Sequence, residues 1–371
     1  MKVAVVHEML VKLWWAENVV NDILSIYPDA DLYTLIYDEE KVSSMFPASR
    51  VKSVPSLTQN IYNWTHKQRL CLPFMSRAIE SIDLSSYDLV IASSSWFAHW
   101  CITKPETCFV VYYHSPARYL WDYTNEYQRD IWFSSWIKKF LLNKFFLKAR
   151  QWDYLAWQRH DVAIAASRQV QSRIAKYYRR DSELVYPWVY VNEFSIGEMP
   201  LKDREYYIIT SALTEFKKIE VAIEAFNVMW YPLVIIWDWD HKGYLQGIAK
   251  ENIKFVWKKD HKAISEYYLN ARWFIMSWRD DFWIAPIEAM ASWVPVFALR
   301  QWWLVETNIE WLTGSFFENP KWADFIDNFE LFHQDISSWK YDRIKIRNHA
   351  LSFSDARFKK EFDDLIKKYV S

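Results

Sequence analysis

Short runs of consecutive apolar residues alternate along the chain with longer stretches whose apolar positions recur every three or four residues, the pattern of successive βαβ units. Lys2–Val6 predicts a buried strand and Ala16–Ile26 a helix. Leu32–Ile36, Leu89–Ala92 and Phe109–Tyr113 predict further strands, the last ending at His114-Ser115-Pro116. Asp161–Ala166 predicts another, followed by a polar helix carrying Arg168, Arg173 and Lys176. Between 186 and 203 the pattern breaks at Pro187, Gly197 and Pro200. A second series then runs through strand Tyr206–Thr210, helix Ile219–Met229, strands Leu233–Ile236 and Ile253–Val256, and helix Ala263–Ala271. Strand Phe274–Met276, helix Pro286–Ser292 and strand Pro295–Ala298 complete it, and Asp355–Tyr369 reads as an amphipathic, charged helix. The expected architecture is α/β, with two doubly wound Rossmann-like domains facing a central cleft and ligands at the carboxyl ends of the strands. Their expected bounds are 1–195 and 196–350, with a helix in 351–371 packing back on the first domain.

A length of 371 residues suits two domains, since one core rarely grows beyond about 250–300. The net charge of -1 gives no global case for nucleic acid as a partner. No apolar run approaches the roughly 18 residues of a membrane span, and His7 and Glu8 follow too soon for a signal peptide. Cys71, Cys101 and Cys108 are odd in number and lack metal spacing, so a reduced, cytoplasmic chain is expected.

One composition figure is abnormal: the chain has 4 Gly and 24 Trp. Average usage of about 7% would give roughly 26 glycines, and glycine and tryptophan together come to 28. Trp14-Trp15 and Trp302-Trp303 fall in loops after apolar runs, and Trp237 and Trp239 follow Leu233–Ile236. Such turns need a positive φ or close backbone approach, which Gly supplies and Trp does not. This pattern is expected of a gene that reads UGA as Gly, as some bacteria do, translated with UGA as Trp. Trp14, Trp15, Trp237, Trp239, Trp283, Trp293, Trp302 and Trp303 are then glycine positions. Trp121, Trp136 and Trp152 sit in apolar helical settings and read as genuine tryptophans.

The candidate chemistry centres on residues 278–293. An acidic residue, a tight loop, Pro286 near the start of a helix and Glu288 form a strand–loop–helix corner. Loop amides there suit an anionic or polyhydroxyl ligand, and Asp280 and Glu288 can both accept hydrogen bonds from sugar hydroxyls. Spacing alone leaves a helix cap plus a solvated Glu equally open.

With Gly at the Trp positions this stretch becomes DDFGIAPIEAMASG, which resembles the acidic-x7-Glu motif of the retaining family-4 glycosyltransferases, enzymes of the GT-B fold. Four other segments carry the same resemblance in order along nearly the whole chain. Trp14-Trp15-Ala16-Glu17 resembles a Gly-Gly-Ala-Glu loop, and His114-Ser115-Pro116-Ala117-Arg118-Tyr119-Leu120-Trp121 the HTPxRYLW segment of the mannosyltransferase-like branch. Residues 211–218 (SALTEFKK) resemble its SALxxYKR segment, and residues 302–307 its Gly-Gly-x-x-Glu loop.

The resemblance implies roles. Lys217 and Lys218 would neutralise the donor diphosphate, and Glu288 would bind the ribose. Asp280 and the amides of Phe282, Trp283 and Ile284 would hold the donor sugar. The loops at Trp14-Trp15 and Trp302-Trp303 would approach the donor, and His114 would contact the transferring sugar. Glu8 and Arg118 would lie on the acceptor side. Asp280 stands where Glu is usual, one methylene shorter, and Ala212 where the wider family often has a phosphate-binding Arg. A leaving nucleoside diphosphate develops charge that fixed Lys and amide dipoles stabilise, so the implied mechanism needs no metal or cofactor. The implied donor is a nucleotide sugar, first GDP-mannose, and the acceptor a glycan or lipid-linked precursor. Residues 134–180 hold eleven Lys or Arg against Asp153 and Asp161, interleaved with Phe and Leu, which suits the anionic inner face of a membrane. The same pattern also suits a helix whose apolar face is domain core. Two competing functions are a nucleotide-sugar 2-epimerase of the same architecture, where the HSPARYLW segment has no place, and a non-catalytic sugar-nucleotide-binding protein if the tryptophans are native.

Overall fold

The computed structural model describes residues 1–53, 55–124, 136–214, 217–238, 242–257, 260–278, 284–301, 303–337 and 341–370. Its strands form two sheets in which every pairing is parallel. The first contains β1 (Val3–His7), β2 (Asp31–Thr34), β3 (Val51–Ser53), β4 (Leu89–Ser94), β5 (Cys108–Tyr113), β6 (Val162–Ala165) and β7 (Glu183–Leu184). The second contains β8 (Tyr206–Ala212), β9 (Leu233–Asp238), β10 (Ile253–Trp257), β11 (Ala271–Met276), β12 (Val296–Leu299) and β13 (Gly314–Phe317). Their orders, β3-β2-β1-β4-β5-β6-β7 and β10-β9-β8-β11-β12-β13, share one topology. In each the chain moves outward from the first strand, then returns to its other side. The order therefore reverses between β1 and β4 and between β8 and β11, the place where open parallel sheets bind ligands. Both domains are Rossmann-like.

The chain divides into two compact units, Met1–Pro187 with Lys359–Ser371, and Trp188–Phe358. Central strands are buried on both faces, as parallel sheets covered by helices require, so they read as unbroken apolar runs. In the first unit, fully buried Trp157 stacks between Tyr113 and Tyr178 at centroid distances of 4.0 and 3.9 Å. In the second, Trp273 packs on Phe332 at 3.9 Å and on Phe329 at 4.9 Å. Each such side chain contributes about 1.5–3 kcal/mol through removal from water. The C-terminal helix Asp355–Val370 delivers its last turns to the first unit, where Lys359 pairs with Asp22 at 2.9 Å and Tyr369 donates to Glu183 at 2.7 Å.

The strands expected from the apolar runs are all present, with ends shifted by a few residues. The helix expected over Ala263–Ala271 lies instead at His261–Leu269, because Asp260 caps it by accepting the Ala263 N–H at 2.8 Å and Ala271 already opens β11. Edge strands β3, β7 and β13 and the helices Ser56–Thr65, Trp322–Ser337 and Arg343–Leu351 are additional. β7 has two residues and carries no pattern of its own. At Gly314 in β13 a Cβ would stand 1.9 Å from the Val296 carbonyl oxygen, so this position admits only glycine.

Candidate functional site

In the first unit three strand ends converge. β1 ends at His7, β4 at Ser93-Ser94, and His114 follows β5 directly. Ser93 Oγ lies 3.1 Å from His7 Nδ1 and 2.7 Å from His114 Nε2, linking both imidazoles through one hydroxyl. Beyond His7, the Glu17 carboxylate stands 3.7 Å from His7 Nε2 and accepts the Trp14 N–H at 3.0 Å. Burial opposes the Glu17 charge, but His7 and the amides of Trp14 and Glu17 hold its pKa below the ordinary value. Burial, with the charge of His7, drives His114 down to about 3, so its imidazole is neutral. Its Nδ1 has no hydrogen-bond partner among the described residues. A neutral, buried His with one ring nitrogen unsatisfied can contact a polyhydroxyl ligand.

The Trp15 ring meets His114 edge-on at 4.8 Å. Trp14 is partly exposed and has Lys12 Nζ 3.0 Å above its ring. Glu8, placed by the resemblance on the acceptor side, uses Oε1 to accept the N–H groups of Ser95 at 2.8 Å, Trp96, and Phe97 at 2.7 Å. It thereby fixes the loop after β4. Arg118 stacks on Tyr123 at 4.2 Å, within the segment that follows His114.

That segment is anchored by an acidic residue of the basic stretch. Asp153 is fully buried and accepts from Trp121 Nε1 at 2.9 Å, Tyr178 at 2.6 Å and Trp100 Nε1 at 3.2 Å, with His99 Nε2 at 3.1 Å. Arg173, one of the eleven basic residues, is buried and pairs with Asp122 at 2.8 Å. Arg159 pairs with Glu80 at 2.6 Å, and Arg150 donates to the Leu120 carbonyl. Part of the basic stretch is therefore structural. The helix Trp136–Ala156 turns Lys144, Leu147, Lys148, Tyr154 and Leu155 outward.

In the second unit the candidate residues gather at the ends of β8 and β11. Lys217 is buried, with Nζ 5.3 Å from the centre of the Trp278 ring. Lys218 is exposed, has a left-handed φ of 46° and lies 3.5 Å from Glu220. Ser277 Oγ donates to the Lys218 carbonyl at 3.2 Å, tying the end of β11 to the loop after β8. Glu288 lies in the helix Ala285–Ala291, preceded by Ile284. Burial and the nearby Glu193 charge push its pKa up to about 8, against a hydrogen bond with Tyr268. Tyr268 is itself 2.9 Å from Thr210 Oγ1 on β8. Tyr268, Thr210 and Glu193 carried no sequence signal, because each sits in an ordinary helix, strand or turn and matters only through the fold. Trp303 is fully buried. Asp280, Phe282, Trp283 and Trp302 lie outside the described residues. Among the described residues no group of His, Cys, Asp or Glu is placed to hold a metal ion.

These two strand-end sites sit on a fold with known counterparts. Residues 192–348 match the family model described as "Glycosyl transferases group 1", within the second unit but for its ends. Sucrose-phosphate synthase from Thermosynechococcus elongatus is similar over 100% of this chain and 99% of its own, with a TM-score of 0.72 and 14% identity. Anabaena HepE in complex with UDP-glucose is similar over 99% and 100%, with a TM-score of 0.68 and 13% identity. A glycosyltransferase from Rickettsia africae is similar over 99% and 98%, with a TM-score of 0.64 and 14% identity. No curated protein matches the chain by sequence. The architecture is thus GT-B, two Rossmann-like domains, and its solved counterparts include glycosyltransferases.

Proposed function

We propose that this chain is a retaining glycosyltransferase that moves a sugar from a nucleotide-sugar donor to a glycan or lipid-linked acceptor. One observation carries the reading. Glu288 is buried beside Tyr268 on the helix that follows the β11 loop, at the strand-order reversal of a domain that matches the group 1 glycosyltransferase family. Lys217 in the loop after β8 supplies positive charge for a departing diphosphate, and His114 supplies a neutral contact for a sugar. GDP-mannose is the first donor, on the strength of the HSPARYLW and SALTEFKK segments. UDP-glucose is the second, because HepE is solved with it. The reaction runs without metal, and the enzyme works in the cytoplasm at the inner face of an anionic membrane.

The test is a donor panel with mass-spectrometric detection of nucleoside diphosphate, repeated after exhaustive chelation. Release that survives chelation, with a product of retained anomeric configuration, is the expected result. No release from any donor overturns the reading. Glu288→Ala should raise the KM for donor by up to roughly tenfold, since a hydrogen bond from a neutral carboxyl contributes about 0.5–1.5 kcal/mol. Lys217→Ala should lower kcat by about 10²–10³-fold, because leaving-group charge grows toward the transition state. A Lys217→Ala enzyme with unchanged kcat removes that residue from the mechanism.

A specific observation favours a second reading. Trp15 stands against His114 and Trp303 is wholly buried, so indoles native at both places favour a protein that binds sugar nucleotides without turning them over. Calorimetric donor titration of the chain as written, beside a Trp15→Gly, Trp303→Gly variant, separates the two.

A further inference from the structure

We infer that Trp230, Trp293 and Trp311 occupy glycine positions of the native chain, encoded by UGA read as glycine. Among the described residues six that are not glycine have a left-handed φ, and three of these are tryptophans: Trp230 at 63°, Trp293 at 53° and Trp311 at 66°. Tryptophan makes up 24 of 371 residues, so half of this set is far above its share. None of the four glycines has a positive φ. The backbone conformation that glycine alone adopts without steric cost is therefore carried by the bulkiest side chain.

The hydrogen bonds identify each position more closely. After the helix Ala285–Ala291, the Trp293 N–H reaches the Met290 carbonyl and the Val294 N–H the Ala289 carbonyl, both at 2.9 Å. These are the paired bonds of a Schellman cap, with Trp293 at its left-handed residue, where glycine is the usual occupant. After the helix Ile219–Met229, the Trp230 N–H donates to the Phe226 carbonyl at 2.9 Å, the single bond of the simpler left-handed cap. Trp311 is the third residue of a turn closed by the Leu312 N–H on the Ile309 carbonyl at 3.1 Å, a place that requires positive φ in type II turns. Trp230 and Trp311 are more than half exposed.

Backbone geometry also sorts the positions expected from sequence. It supports Trp293 and adds Trp230 and Trp311. Trp14 and Trp303 have ordinary φ values of -124° and -64°, Trp15 begins a helix and Trp237 lies in β9, so φ makes no case for glycine there. Trp239, Trp283 and Trp302 lie outside the described residues. Trp121 is not among the left-handed residues, and its indole donates to buried Asp153 at 2.9 Å. The Trp293 indole donates to the Gly197 carbonyl at 3.1 Å, so the assignment of Trp293 rests on its left-handed φ and cap geometry.

This inference stands apart from the glycosyltransferase reading, and either can fail alone. Two measurements test it. Peptides covering 230, 293 and 311, taken from the source organism, should show glycine by mass spectrometry. In recombinant protein, Trp230→Gly and Trp311→Gly should each raise the thermal midpoint by about 2–4 °C, while Trp121→Gly lowers it. Intact tryptophan in the native peptides, or a lowered midpoint in both exposed-site variants, overturns the inference.

Discussion

Glu288 shows how one residue's environment becomes a measurable property of the protein. Its carboxyl is buried near Glu193, and its pKa rises from 4.5 to about 8. The folded state therefore binds a proton that the unfolded chain releases, and the neutral form's contribution is complete below the ordinary glutamate value. It is lost as pH rises through about 8. Glu288→Gln should remove this dependence, so the variant's thermal midpoint should fall less than the parent's between pH 5 and 9. Parallel profiles would show that the carboxyl is ionised in the fold. His114 has the opposite sign, since burial depresses it. Its contribution is lost as pH falls from the ordinary histidine value toward about 3. Neither shift was legible in the sequence, where Glu288 was a motif position and His114 a strand-end residue. Their neighbours Tyr268, Ser93 and His7 come from distant segments.

At the scale of elements, the helix Trp136–Ala156 has one face buried in the first unit and another exposed. Asp153 on its inner face receives Trp121 and Tyr178, while Lys144 and Lys148 face out beside Leu147, Tyr154 and Leu155. Apolar and basic side chains on one exposed face suit adsorption to an anionic leaflet, each cation contributing on the order of 1 kcal/mol near the surface. No helix among the described residues is long and apolar enough to cross a membrane. Lys144→Glu with Lys148→Glu should release the protein from anionic liposomes without changing its thermal midpoint, and sedimentation at low salt measures this. Undiminished binding would assign the face another purpose. The sequence presented all eleven basic residues as equivalent. Packing separates them, because Arg173 and Arg159 are consumed by Asp122 and Glu80.

At the scale of the whole molecule, the last helix returns to the unit where the chain began. Lys359 on Asp22, Phe362 against Tyr112 and Tyr369 on Glu183 join three separate parts of the first unit. Phe362 and Ile366 are buried, so deleting 359–371 removes apolar contacts worth about 1.5–3 kcal/mol each. The deletion should lower the thermal transition of the first unit by several degrees, read by calorimetry, and leave the second unit's transition in place. An unchanged first transition would make the docked helix dispensable.

The apolar runs by themselves determined the order of the central strands along the chain, because strands buried on both faces leave an unmistakable local record. They also marked the break between two α/β series and the corner that holds Glu288. Short edge strands such as β7 lie below the length at which a pattern forms, and only pairing with β6 defines them. Glycine scarcity was visible in composition, yet only backbone φ distinguished Trp230, Trp293 and Trp311 from tryptophans in ordinary conformations. Tertiary structure also decided which charges are buried and paired, as at Asp153, Arg173 and Glu288. That outcome depends on partners far away in the chain, and local sequence holds no record of them.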